Sequence, residues 1–162
     1  MREYEYIDFG SIQVPIIDGL EFSASLDDAK RIISITAKLG DSSLEIMAFA
    51  AALGHPLWPE VRAEIRAALF EEGIAAQELD GPDGTVLLTR RRGPNGVSTF
   101  RFTAADGPGW MLRGVYEGPA ADDPANAAEL RECFRHVVVQ HDDPSKPERS
   151  LLPLQIPSGV TE

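Results

Sequence analysis

The sequence predicts an α+β fold, in which a twisted antiparallel sheet of about six to seven strands carries two helices packed on it. The chain has 162 residues, which is the size of one domain. Its apolar residues alternate with a strand period in most segments and with a helical period in two segments. Its strand-like segments are joined by short turns rich in glycine and proline, as in antiparallel hairpins.

The first third of the chain is predicted to consist of strands. Residues 7–17 are expected to form an irregular edge strand, because Pro15 removes a donor from the hydrogen-bond ladder. Apolar and polar residues alternate at 20–26 and at 31–39, which predicts two half-buried strands. Residues 44–51 are mostly apolar, which is typical of a central strand.

Two helices are predicted in the remainder of the chain. The first begins with Pro59 at its first position and ends at about Glu72. The second begins at a cap formed by Asp122 or Asp123 and ends at about Gln140. Between the two helices, strands are predicted at residues 85–92, 97–104 and 110–117. These three strands are joined by short turns, and we expect them to form an antiparallel meander.

We expect a single α+β domain over residues 1–141, followed by a Pro-rich tail at residues 142–162. Residues 151–156 of this tail are a candidate short strand that adds to a sheet edge. The first residues lack the basic start and apolar core of a signal peptide. The longest apolar run, residues 46–53, is much shorter than the roughly 20 residues that a membrane helix needs. We therefore expect a cytoplasmic protein with no membrane segment.

Charge and cysteine content exclude several classes of function. Acidic residues outnumber basic ones by 26 to 15, and the formal net charge is −11. Coating of nucleic acid and adhesion to anionic membranes both need a cationic surface, so neither is expected. Cys133 is the single cysteine and can form neither an internal disulfide nor a thiolate metal site.

Motifs for common cofactors and catalytic centres are absent from the sequence. It contains no glycine-rich dinucleotide loop, phosphate loop, nucleophile elbow, zinc-protease helix or calcium loop. His136 and His141 lie five residues apart across the end of a predicted helix, which is poor geometry for the four fixed ligands of a metal. Cys133 is most simply a core residue. We therefore assign no catalytic residue, no metal site and no cofactor.

An arginine cluster in the predicted meander is the most informative feature. Five of the fifteen basic residues lie between Arg90 and Arg113, together with a single acid, Asp106. With Arg92 opposite Val97 and Ala104 opposite Trp110, three arginines share one face of the sheet, and Arg101 stands opposite Arg113. The three arginines of this candidate anion-binding face are Arg90, Arg101 and Arg113.

Like charges on neighbouring strands are destabilising unless an anion lies between them. That anion can be a ligand, a partner carboxylate or an internal acid, such as Glu45 or a glutamate of the first helix. The internal acid is the more ordinary arrangement, because charge clusters on sheets are usually paired or solvated. Arg113 lies between the apolar residues Met111 and Val115, so we expect it to be at least partly buried and held by a carboxylate or an ordered anion.

Several short strings resemble a known family. These strings are residues 6–12 (YIDFGSI), 57–62 (LWPEVR) and 109–115 (GWMLRGV), the last followed by Gly118 and Pro119. In this order they resemble an actinobacterial family that is classified only as a domain of unknown function, and the likeness covers almost the whole chain. The resemblance implies a small cytoplasmic protein whose gene often lies near that of dUTPase. It gives no catalytic residues. The order of elements also looks PsbP-like, which is a likeness of fold alone.

Two functions from different classes remain open. The first is a non-enzymatic module that binds a protein partner, with a homodimer as one form of that interaction; its basis is the missing catalytic constellation and the arginine-bearing meander. The second is a binder or enzyme that acts on a small anionic ligand, for example a nucleotide, at the arginine-bearing face.

Overall fold

The structure is a computed structural model that describes residues 4–81, 84–94, 96–140 and 147–155. These residues form a mixed fold of antiparallel strands and short helices, which confirms the predicted α+β class. The strands divide between two sheets, whereas the sequence predicted one. Within the described residues no helix is both long enough and apolar enough to cross a membrane.

The larger sheet has seven antiparallel strands. They are β3 (Glu21–Leu26), β4 (Ile32–Leu39), β5 (Ser42–Ala50), β6 (Ala76–Gly81), β7 (Gly84–Gly93), β8 (Gly96–Gly107) and β9 (Trp110–Glu117). Their spatial order is β3-β4-β5-β9-β8-β7-β6, so β3 and β6 are the edge strands. The meander β7–β8–β9 is present as predicted, and it is joined to the N-terminal strands through β5 and β9.

The smaller sheet corrects the prediction for the N-terminal segment. Residues 7–17 do not form one irregular edge strand, because the chain folds back at Gly10, which has φ +96°. The resulting strands are β1 (Tyr6–Asp8) and β2 (Ile12–Pro15), and β2 is the middle strand of this sheet. Pro15 is tolerated there because it is the last residue of β2, at the end of the ladder.

The helices lie on opposite faces of the large sheet. Helix α1 (Trp58–Glu71) is close to its predicted bounds. The predicted second helix is wrong in extent, since it consists of α2 (Pro119–Asp122), a 3₁₀ turn (Pro124–Ala127) and α3 (Ala128–Arg135). The β-branched pair after it forms strand β10 (Val138–Val139), which pairs with β2 instead of extending the helix.

Two hydrophobic cores follow from the alternation of side chains along the strands. The core face, which packs against α2, α3 and the small sheet, includes Ile35, Leu44 and Ile46, all fully buried. The α1 face has a smaller core, in which Met111 packs against Leu57 and Trp58. Strands β5 and β9 therefore contribute to both cores.

The second turn of the meander corrects the predicted register. The first turn is as predicted, with Arg92 opposite Val97. In the second turn, Trp110 stands opposite Gly107 instead of Ala104, and β8 extends three residues beyond its predicted end. Gly107 permits this register because a Cβ atom there would lie 2.1 Å from the indole ring of Trp110. A shift by an odd number of residues places every side chain beyond it on the other face of the sheet.

The C-terminal segment, residues 147–155, links the two sheets. The backbone N–H of Ala50 donates to the carbonyl of Ser150 at 2.8 Å, and the N–H of Leu152 donates to that of Ala48 at 2.9 Å. Further along, the N–H of Ser11 donates to the carbonyl of Pro153 at 3.2 Å. The segment thus adds to the edge of β5 beyond the end of β4 and reaches the small sheet. Ile156 of the predicted strand lies outside the described residues.

Candidate functional site

Arg113 projects from β9 on the α1 face and is half-buried. Its Nη2 donates to the thioether of Met47 at 2.9 Å, and its guanidinium carbon lies 5.5 Å from the ring centroid of Phe49. Its Nε is buried and has no hydrogen-bond acceptor among the residues that the structure describes. Partial burial of Arg113 is therefore confirmed.

The internal carboxylate expected for Arg113 does not pair with it. Glu45 is the acid whose charge acts on Arg113, but its Oε2 accepts a hydrogen bond from Ser34 at 3.0 Å and lies beyond salt-bridge distance. Burial lowers the pKa of the Arg113 guanidinium, and the negative charge of Glu45 only partly opposes that shift. Arg113 is thus a partly desolvated cation without a bonded counterion within the described part of the chain.

A pocket of about 200 Å³ opens beside Arg113 on the α1 face. We call it the Arg113 pocket, and its lining residues are Phe49, Leu57, Val61, Glu64, Met111, Arg113 and Arg149. Four of these seven side chains are apolar, and they come from β5, β9 and the beginning of α1. Asp106 fixes this end of α1, because its carboxylate accepts from the backbone N–H groups of Leu57 at 2.9 Å and Trp58 at 3.2 Å.

Arg149 forms the rim of the Arg113 pocket with two glutamates of α1. Its Nη1 donates to Glu64 at 2.6 Å, and its Nη2 donates to Glu60 at 2.5 Å and to Glu64 at 2.8 Å. Hydrogen bonds from Arg149 hold the pKa of both rim glutamates, Glu60 and Glu64, below the ordinary value. The acid at the rim is therefore neutralised by Arg149 and not by Arg113.

Arg149 was missed by the sequence analysis. The only local signal is the pair Glu60 and Glu64, whose like charges lie four residues apart on one helix and repel unless a cation lies between them. Nothing in the pattern of the tail identifies Arg149 as that cation.

Arg90 and Arg101 share one face of the sheet, as predicted, and Arg113 lies on the other. The face that Arg90 and Arg101 share is the core face. Arg101 stands opposite Tyr116, and Arg113 stands opposite Ala104, so the predicted pairing of Arg101 with Arg113 is wrong. The cause is the register of the second meander turn described above. Arg101 is held at the end of α2, where its Nε donates to the carbonyl of Ala121 at 2.9 Å and its Nη2 to that of Asp122 at 3.1 Å.

A shallow groove of about 530 Å³ lies on the sheet beside the beginning of β6. We call it the arginine groove, and it is lined by Gly73, Ile74, Ala75, Ala76, Gln77, Leu88, Thr89, Arg90, Arg92 and Val97. No acidic side chain is among these described lining residues. The neighbouring Arg91 points to the opposite face, where it forms an ion pair with Glu72 at 3.4 Å.

The comparison with known proteins identifies the family of this chain. The whole chain, residues 1–162, matches the model of a family described as "Protein of unknown function (DUF3710)". The chain belongs to the DUF3710 family. No curated protein and no solved structure matches it. The predicted membership of a domain-of-unknown-function family is thus confirmed, while the PsbP-like architecture and the dUTPase link stay predictions.

The histidines considered as metal ligands and the single cysteine of this DUF3710 protein lie in or after α3. Within the described residues no group of three or more metal-ligating side chains comes together. His136 lies against the ring of Tyr4, with 4.9 Å between ring centroids, and His141 lies outside the described residues. Cys133 is fully buried, and burial, with the charge of Glu132, raises the pKa of its thiol to about 12. A thiol in this state packs as a small apolar group.

Proposed function

We propose that this DUF3710 protein is a non-enzymatic, cytoplasmic interaction module that binds an extended acidic segment of a protein partner along the arginine groove. One observation carries the proposal. Arg90 and Arg92 lie side by side on the same face of β7, and neither forms an ion pair with any residue that the structure describes. This cationic surface occurs in a chain whose formal net charge is −11.

Charge complementarity identifies the chemistry of the partner. The groove offers two guanidinium groups and no competing carboxylate, and guanidinium groups bind carboxylates in a planar, bidentate geometry. Alternate residues of a strand are about 7 Å apart, so Arg90 and Arg92 match carboxylates at alternate positions of an extended chain. The apolar side chains of Leu88 and Val97, the latter 60% exposed, provide contact area between these charges.

The position of the groove beside an edge strand supports an extended occupant. Strand β6 is the last strand of the sheet, and residues just before it and within it line the groove. An edge strand presents backbone N–H and C=O groups that an additional strand can pair with. A partner strand next to β6 would therefore combine main-chain hydrogen bonds with ion pairs to β7.

The proposal is tested with a fluorescein-labelled decapeptide of alternating glutamate and valine, and with the same peptide carrying glutamine in place of glutamate. Fluorescence anisotropy is measured on the full chain at about 50 and 300 mM salt, since ion pairs weaken with screening. We expect saturable binding of the acidic peptide that weakens with salt, and binding at least about 10-fold weaker for the glutamine peptide.

The variant Arg90→Gln/Arg92→Gln should lose at least about 10-fold in affinity. The matched control is Lys30→Gln/Lys38→Gln, which removes the same charge from exposed positions around β4, away from the groove. Equal affinity of the arginine variant and the control would refute the proposal. Saturation by inorganic phosphate or ATP, with no response to the acidic peptide, would replace it by the small-anion function.

A further inference from the structure

Arg113, which lines the Arg113 pocket, is poorly satisfied by the residues that the structure describes. The Nε of Arg113 is buried without an acceptor among the described residues, and the acceptor of its Nη2 is the thioether of Met47. Sulfur in a thioether is a weak acceptor, and buried donors without a partner are rare in folded proteins. The described residues thus provide the Arg113 guanidinium with one weak acceptor and no carboxylate.

The charges around the pocket favour an anion as that acceptor. Glu64 is the acid that lines the pocket, and both of its oxygens accept hydrogen bonds from Arg149. Glu45 is the other acid that acts on Arg113, and Ser34 holds its Oε2. Arg113 therefore contributes a positive charge that its neighbours do not cancel by direct pairing.

The shape and lining of the pocket limit the size and polarity of the anion. Apolar side chains of Phe49, Leu57, Val61 and Met111 form most of the wall. The pocket volume is about 200 Å³. An apolar cavity of about 150 Å³ is known to hold benzene, whereas pockets for drug-sized ligands start at about 300 Å³. The pocket is therefore too small for a nucleotide and matches a benzene-sized apolar body with one charged group.

We propose that the Arg113 pocket is a binding site for a small apolar monocarboxylate. The carboxylate forms an ion pair with the part of the Arg113 guanidinium that lines the pocket, and the apolar body packs against Phe49 and Met111. This site is independent of the arginine groove, because Arg113 projects from the opposite face of the sheet.

Benzoate is the probe, and benzamide is its neutral counterpart of nearly the same shape. The full chain is labelled with ¹³C at the methyl groups of its three methionines. Met47 contacts Arg113 and Met111 lines the pocket, so both methyl groups report on occupancy. We expect saturable shifts of both resonances with benzoate and at least about 10-fold weaker binding of benzamide, because a hydrogen bond to a charged group is worth more than a neutral one.

Variants separate a guanidinium site from a general apolar pocket. Arg113→Gln should abolish the preference for benzoate over benzamide. Arg113→Lys should retain part of this preference, because lysine keeps the positive charge but lacks the planar, bidentate guanidinium. Glu45→Gln should tighten benzoate binding, since it removes the opposing charge. The matched control Lys38→Gln removes an exposed cation from β4 and should leave the affinity unchanged.

Three results would overturn the proposed site. The first is equal affinity for benzoate and benzamide, and the second is chemical shift changes that never saturate. The third is a benzoate affinity that changes neither in Arg113→Lys nor in Glu45→Gln. Arg113→Lys and Glu45→Gln keep the test decisive if Arg113→Gln does not fold. The variant Arg90→Gln/Arg92→Gln should bind benzoate like the wild type, so failure of the groove and failure of the pocket are distinguishable.

Discussion

Replacing Arg113 by methionine should stabilise the ligand-free protein. In the wild type, folding moves a guanidinium into a half-buried position without a bonded carboxylate among the described residues. Methionine has a similar length, carries no charge, and would face the apolar side chains of Phe49, Met47 and Met111. The substitution thus removes the desolvation of a charge and keeps most of the packing.

The expected change in the free energy of unfolding is the difference between the desolvation cost that is removed and the contact with Phe49 that is lost. Replacing a buried ion pair by apolar groups of similar volume stabilises proteins by about 1–4 kcal/mol, and the half-burial of Arg113 places its contribution in the lower half of that range, at about 2 kcal/mol. The variant loses the cation–π contact with Phe49, at 5.5 Å, which is worth about 0.5–1 kcal/mol. The net expectation is a gain of about 1 kcal/mol in the free energy of unfolding, or a rise of about 2–4 °C in Tm.

Urea denaturation at pH 7, with and without benzoate, measures this effect. If benzoate binds with a Kd of about 1 mM, 10 mM benzoate adds about 1.4 kcal/mol to the wild type and nothing to Arg113→Met, so the order of stabilities reverses. The opposite outcome is a variant that is less stable than the wild type by about 3–5 kcal/mol, which is the cost of leaving a paired acid stranded. That result would refute the reasoning and show that Glu45 pairs with Arg113 in solution.

Three further predictions concern other parts of the fold. Gly118→Ala should destabilise the protein by at least about 2 kcal/mol in urea denaturation. Gly118 has φ +83°, and a Cβ atom there would lie 2.1 Å from the carbonyl oxygen of Asp41. A change below about 0.5 kcal/mol, the size of a neutral surface substitution, would contradict this prediction. Arg149→Ala should lower the urea midpoint more at pH 7 than at pH 3. The rim glutamates have a lowered pKa in the folded state, so their contribution to stability is present above their ordinary pKa and is lost as pH falls through the folded pKa. An equal effect at both pH values would exclude ion pairing as its origin. Cys133 should not react with a thiol reagent at pH 8 until urea unfolds the chain, since its thiol is buried and its pKa is raised to about 12; rapid labelling of the native protein would disprove this.

The register of the meander illustrates what the sequence could and could not predict. The first turn was predictable because glycines close it on both sides and its geometry depends on local residues alone. The second turn depends on the indole of Trp110 lying across Gly107, a packing contact that no periodicity displays. Because of the resulting shift by three residues, Arg113 lies on the other face of the sheet, apart from the other two arginines of the predicted anion-binding face, Arg90 and Arg101.

The candidate site was predictable only in part for a similar reason. The half-burial of Arg113 followed from its apolar neighbours along β9, which are a local property of the sequence. Arg113 has no bonded carboxylate among the described residues because Glu45 is oriented toward Ser34. Their hydrogen bond joins the neighbouring strands β4 and β5. Such a choice between two partners is a tertiary property, so sequence reasoning left both alternatives open.

The separation of the contacting residues along the chain also affects the order in which the parts of the Arg113 pocket assemble. Arg149 and Glu64 are separated by 85 residues in sequence, whereas the strands of the meander are joined by short turns. Closing a long loop has a larger entropic cost than closing a hairpin, so contacts of this kind form late in folding. The part of the pocket floor that lies in the meander, on β9, is therefore built early. The contact of Met47 with Arg113 joins residues 66 apart and the rim contact joins residues 85 apart, so the β5–β9 pairing and the rim both need a long loop to close. Reopening of residues 147–155 alone would release the rim while the sheet stays intact.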